Sequence, residues 1–144
     1  MTKEQIYLQL FHRESISSPA IDVDAVDRQW LEREEYEQWL GTKSDIQKNE
    51  VLESLWIKSC TGGYITELNL KSDGTLDEFK LFDRLHTTGE WVLVDGMLTI
   101  SIVKGDNRYQ FNVIGSSENS IYSAIEYKNG ELHSYLKVMP TRVR

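Results

Sequence analysis

Cysteine is nearly missing from this 144-residue chain. The lone Cys60 excludes an intramolecular disulfide framework, so stability must come from a core, and a chain of this length can bury one large enough. Long apolar runs are missing as well. Residues 1–14 place charges among their apolar positions, which is unlike a signal peptide, and no stretch is long and apolar enough to cross a bilayer as a helix. No membrane partner is expected, and the cytoplasm is the expected location. Positive charge is scarce: the net charge is -7, with 11 Asp and Glu against 6 Lys and Arg over residues 1–50, and 12 against 10 over 51–144. A surface of that sign repels phosphate backbones, so no nucleic-acid partner is expected.

Chemistry-bearing spacings are absent too. His12, His86 and His133 fall in a helix, a turn and a strand with no H-x-x-x-H or carboxylate spacing, so no metal site is read. Cys60 has no histidine near it in sequence and reads as a small hydrophobe. Asp77-Glu78 and Glu34-Glu35 are adjacent carboxylates, but neighbours in sequence point apart and do not make an acid/base pair. Gly62-Gly63 is a turn rather than a phosphate cradle. No catalytic residue and no cofactor are predicted, which points away from an enzyme.

What is present divides at about residue 50. Thr2-Lys-Glu-Gln5 has capping-box spacing, and Ile6, Tyr7, Leu10 and Phe11 recur at helical intervals, predicting a first helix to about Glu14. Ser15-Ile-Ser-Ser-Pro19 interrupts it. A second helix capped by Asp22 or Asp24 should run to Leu40 and stop at Gly41, and Ser44-Asp-Ile-Gln47 matches the capping box of a third, short turn of helix. Beyond Leu52 the spacing becomes period two, punctuated by Gly62-Gly63, Asp73-Gly74, Asp95-Gly96, Gly105-Asp106 and Asn129-Gly130. Strands are predicted at about 53–60, 64–71, 76–85, 89–94, 97–104, 107–115, 120–128 and 131–139. No gap among them is long enough for a crossover helix, so the sheet must be antiparallel. Closure would remove its edges. The fold class predicted is α+β, mainly β: one domain, with a helical cap over 1–50 on an up-and-down meander over 51–144, about eight strands curled into a small barrel.

Two family resemblances attach to these segments. Gly89-Glu-Trp91, followed by Val-Leu-Val-Asp-Gly-Met-Leu-Thr-Ile, together with Asp73-Gly-Thr-Leu76, resembles the G-x-W … D-G-x-L rhythm of lipocalin-like (calycin-style) small barrels over about residues 52–139. That resemblance implies a non-enzymatic cup holding a small, largely apolar ligand. Separately, residues 25–40 are similar to the early helices of cystatin-like cones, the group of nuclear-transport-factor-like proteins, which implies an α+β cone with a pocket and isomerase or hydrolase activity.

For the barrel, the apolar faces nominate Trp91, Tyr109 and Phe111 as ligand-lining residues. Ser123 and Ser134 interrupt those faces with hydroxyls that would anchor a polar group, or else bond to each other, to backbone or to buried water. In the second helix, Val23, Val26, Trp30, Tyr36 and Leu40 share one face at 100° per residue, while Leu31 and Trp39 fall opposite with Glu35 between them. An apolar stripe rimmed by Glu32, Glu34 and Glu35 would dock a basic protein partner or a second copy of the chain. Alternatively, the first helix packs there and sandwiches the second.

Overall fold

The computed structural model describes residues 1–16, 19–82 and 85–143, with the side chains of 142 and 143 left aside. Residues 17 and 18 of the expected interruption and 83 and 84 of the strand expected at 76–85 lie outside these residues; the strand itself ends at Lys80, with a turn at 81 and 82. Its elements are α1 (Lys3–Ser15), two 3-10 turns (Val23–Ala25 and Arg28–Glu32), α2 (Glu34–Leu40), β1 (Lys43–Ser44) and α3 (Lys48–Glu53). There follow β2 (Ser54–Cys60), β3 (Ile65–Leu70), β4 (Thr75–Lys80), β5 (His86–Val94), β6 (Met97–Lys104), β7 (Asn107–Val113), β8 (Gly115–Ser116), β9 (Tyr122–Lys128) and β10 (Glu131–Val143).

Eight of the strands form a closed antiparallel barrel in the order β10-β2-β3-β4-β5-β6-β7-β9. The predicted meander is there, and so is its closure. Turn chemistry explains the hairpins: Asp95 and Gly96 both adopt positive φ, as do Asn129 and Gly130, the geometry of the two-residue turn that matches strand twist. Because side chains alternate, the register fixes which residues point inward. Trp56 pairs with Leu68, Leu70 with Leu76, Trp91 with Ile100, Ile100 with Phe111, and Leu136 with Ala124, and these form one cluster inside the barrel. The two ends differ. At the end where β2 begins, α3 lies across the opening, with Val51 and the preceding Ile46 buried in the barrel cluster. The Trp56 indole donates to the Val51 carbonyl at 3.3 Å, and the Tyr122 hydroxyl donates to Glu50. Among the described residues, the opposite end has no such plug.

A second core lies outside the barrel. Helix α1 packs Leu8, Leu10 and Phe11, each at most 1% exposed, with Ile114, Ile125 and Tyr127 of the wall. Burying side chains of this size contributes about 1.5–3 kcal/mol each. The predicted capping box at Thr2 and Gln5 is formed. The helices lie outside a closed barrel, rather than inside a curved sheet as a cone would have them.

The long second helix is not formed, which corrects the sequence reading. Asp22 and Asp27 each accept from the backbone N–H two residues on, at 3.2 and 2.9 Å, and start separate short turns. Such local bonds compete with helix propagation. The break resolves the two-sided pattern. In a straight helix Trp30 and Trp39 would face opposite ways, whereas here the rings of Trp30, Tyr36 and Trp39 lie 5.3, 5.3 and 5.6 Å from that of Phe11. The third capping box is also corrected: Ser44 pairs with Gly115 in the small β1–β8 sheet, and α3 starts only at Lys48, after Gln47.

Glu14 ties this outer layer to the barrel. Its Oε1 accepts from Trp39 Nε1 at 3.0 Å and Lys43 Nζ at 2.9 Å, and its Oε2 accepts from the Tyr135 hydroxyl at 2.6 Å. Burial alone would raise this carboxyl, but the bonds from Lys43, Tyr135 and Trp39 outweigh it and hold it at about 2, below the ordinary value of 4.5. A depressed folded value means that the group's contribution is complete above the ordinary carboxylate range and lost as pH falls towards 2. Glu14→Gln is therefore expected to cost about 2 kcal/mol at neutral pH, and much less near pH 2. Urea midpoints at the two pH values check this; equal midpoints for wild type and variant at neutral pH would refute it.

Candidate functional site

The inward face is not apolar throughout. Towards the unplugged end, β2 continues its inward phase from Trp56 to Lys58 and Cys60, β4 from Leu76 to Glu78 and Lys80, and β9 from Ala124 to Glu126. The result is a charged layer above the apolar cluster. Lys58 Nζ stands 2.7 Å from Glu78 Oε2 and 3.9 Å from Glu126 Oε2, and 5.4 Å from the centre of the Phe111 ring beneath. Hydroxyls complete it: Thr66 donates to Glu78 Oε2 at 2.7 Å, Thr87 to Glu78 Oε1 at 2.8 Å, and Ser134 to Glu126 Oε1 at 3.2 Å. His133 Nε2 lies 3.8 Å from the same Glu126 oxygen.

The two carboxyls are treated unequally. For Glu78, burial pushes upward, but Lys58 and the two threonines outweigh it, and the group is held below its ordinary value. For Glu126, burial again pushes upward and the more distant Lys58, with Ser134 and His133, offsets too little of it; Glu78 adds a further upward push, and the group is raised. Glu126 is thus the less compensated of the pair, at 5% exposure.

Above this layer the barrel opens into a cavity of about 570 Å³. Its walls include Ile102, Tyr109, Leu136 and the Cys60 thiol, and its rim carries Tyr64, Lys80, Leu85 and Lys104. Below the layer Trp56, Leu68, Ile100 and Phe111 are at most 1% exposed, so the lower barrel is filled by its own side chains. Among the described residues, no group of three or more His, Cys, Asp or Glu could hold a metal ion, and no helix is long and apolar enough to cross a membrane.

No family model, curated protein or solved structure matches this chain.

Of the residues that the sequence nominated for a ligand, Tyr109 and Ser134 line the cavity, whereas Phe111 does not: it lies beneath the charged layer, its ring centre 5.4 Å from Lys58 Nζ. Trp91 points inward but near the plugged end, where its indole donates to the Lys71 carbonyl at 2.8 Å. Ser123 is a correction. It pairs with Lys137 on the outward face of β9, in phase with Ile125 and Tyr127, and is buried under the helical layer rather than in the barrel. Leu31 and Trp39, nominated for a partner, are partly buried against the outer core, and the Trp39 ring is engaged by Tyr7, Phe11 and Tyr36; Glu35 is exposed. The sandwiched alternative is met only in part: α1 does cover these side chains, but it is α1 that lies between them and the barrel wall, and no long second helix is sandwiched. Sequence reasoning missed Lys58, Thr66, Glu78, Thr87 and Glu126. Their signal was strand phase: Lys58, Thr66, Glu78 and Glu126 each stand two residues from an apolar inward neighbour, and Thr87 stands two from the inward Gly89.

Proposed function

We propose that this chain is a lipocalin-like, non-enzymatic binding protein that seats a small molecule in the open mouth of the barrel. The observation that carries the reading is the pairing of an unfilled cavity with a buried ionic layer at its base. Stability alone gives little reason to bury Lys58 with two carboxylates, because apolar side chains of similar volume serve a core as well or better. A small-molecule site, by contrast, combines apolar walls with a few convergent polar groups. The filled lower barrel makes the ligand enter polar end first, with its apolar part against Tyr64, Leu85, Tyr109 and Ile102. The acidic net charge favours a small molecule over a nucleic acid, and the single thiol suits a reducing, cytoplasmic setting.

Native mass spectrometry of protein purified from its own cells tests this reading, with the neutral dye Nile red as an added probe. Wild type is expected to carry a bound mass or to take up the dye with saturation at one site. Ser134→Trp, which fills the mouth, should abolish both. A bare wild-type mass together with no dye uptake would overturn the proposal, as would uptake unchanged in Ser134→Trp.

A further inference from the structure

Resting on that reading, we infer that the group seated at the base of the mouth is a cation: a protonated amine at the end of an apolar body. The argument is one of charge and reach. The buried layer contains two carboxylates and one ammonium, and that ammonium is committed. Lys58 lies 2.7 Å from Glu78 Oε2, an oxygen that also accepts from Thr66, and only reaches to 3.9 Å from Glu126. Glu126 Oε1 accepts from Ser134, whereas Glu126 Oε2 has no donor within hydrogen-bonding distance among the described residues. It belongs to a side chain that is only 6% exposed, on the wall of the cavity. An acceptor so placed calls for a donor, and a charged donor gives the stronger bond.

An anionic head fits worse. It would enter beside two carboxylates and find the one buried ammonium already engaged. Lys80 and Lys104 stand on the rim rather than in the layer; Lys104 is exposed, and Lys80 is partly buried with its ammonium 4.9 Å from the Tyr64 ring. Charges in contact with water are screened, so they oppose an entering cation less than the buried carboxylates attract it. The walls are of a kind that takes a cation, for the Tyr109 and Tyr64 rings already stand 5.7 and 4.9 Å from the Lys128 and Lys80 ammoniums. The apolar body then follows the rim, where Tyr64 and Leu85 are 61% and 51% exposed.

The test is isothermal titration calorimetry of the full chain, at neutral pH, with octylamine, octanoate and octan-1-ol, which share one alkyl body. Octylamine is expected to bind at least about tenfold more tightly than either of the others. Glu126→Gln, which keeps the shape and removes the charge, should erase that preference, while Glu131→Gln, an exposed acid at the start of β10, should leave it unchanged. If Glu126→Gln does not fold, the wild-type ligand series decides alone. Octanoate or octanol binding as tightly as the amine would overturn the inference and leave the binding site standing. Failure of all three to bind, with no Nile red uptake, would remove the site itself; dye uptake without binding of octylamine would overturn the cation alone.

Discussion

Gly89→Val is expected to cost about 4 kcal/mol or more, enough to leave the barrel largely unfolded at ambient temperature. Valine suits strands by propensity, so the effect comes from space alone. Gly89 sits on the inward phase of β5, paired with Leu76 on one side and Ile102 on the other. A Cβ at this position would stand 2.2 Å from the Ser101 carbonyl oxygen and 3.0 Å from the Ile102 Cα. Both are backbone atoms of the neighbouring strand, so no rotamer change can relieve the clash, and the β5–β6 ladder would have to part. Thermal unfolding followed by circular dichroism reads the result. A valine variant melting within a few degrees of wild type would show that the strands are not this close.

Removing Lys58 is expected to be nearly as damaging, for an electrostatic reason. Lys58→Met leaves Glu78 and Glu126 facing one another in a buried layer without their cation, and breaking a buried ion pair from one side costs about 3–5 kcal/mol. The pH dependence follows in sign. Burial pushes both carboxyls up and Lys58 pushes both down, so the penalty for its loss is full at neutral pH and shrinks as acid protonates them. Urea unfolding at neutral and mildly acidic pH measures it. The triple variant Lys58→Met, Glu78→Leu, Glu126→Leu should regain wild-type stability or exceed it, because an apolar layer replaces an ionic one at no electrostatic cost. A triple variant as unstable as the single one would mean that the layer is there to hold the barrel together, against the binding reading.

The contrast between those two positions reflects what the sequence could convey. The eight strands were legible because each hairpin turn carries its own chemistry, and Asp95-Gly96 or Asn129-Gly130 announces itself without reference to the rest of the chain. The N-terminal region was harder. A helical period over residues 23–40 is real, but Asp27 spends its side chain on the Gln29 N–H and ends the run, and the reward for doing so is a ring cluster around Phe11 that only the folded chain assembles. Within the barrel, β9 misled for a different reason. All but its last residue are buried, and its outward set of Ser123, Ile125 and Tyr127 includes two large apolar side chains, whereas the inward set of Tyr122, Ala124 and Glu126 includes one, with a charge. Phase read from apolarity was therefore inverted there, which placed Ser123 in the cup and hid Glu126. Lys58 and Glu78 were hidden more simply, as charged residues in positions that alternation reserves for the core, and such exceptions mark the places where a strand serves something other than packing.

The order of strands around the wall also governs how the chain comes to be assembled. Barrel closure joins β2 to β10, so that Cys60 meets Leu136 and Ser59 meets Lys137 across most of the strand-forming sequence. During synthesis the earlier hairpins can zip as they emerge, but β2 keeps an open flank until residues 131–143 have left the ribosome. Pairings this distant in sequence slow folding, and an unsatisfied strand flank invites association with another chain. Nascent copies are thus most vulnerable in the interval before the last strand arrives, and a pause in translation just after Asn129-Gly130 would lengthen it.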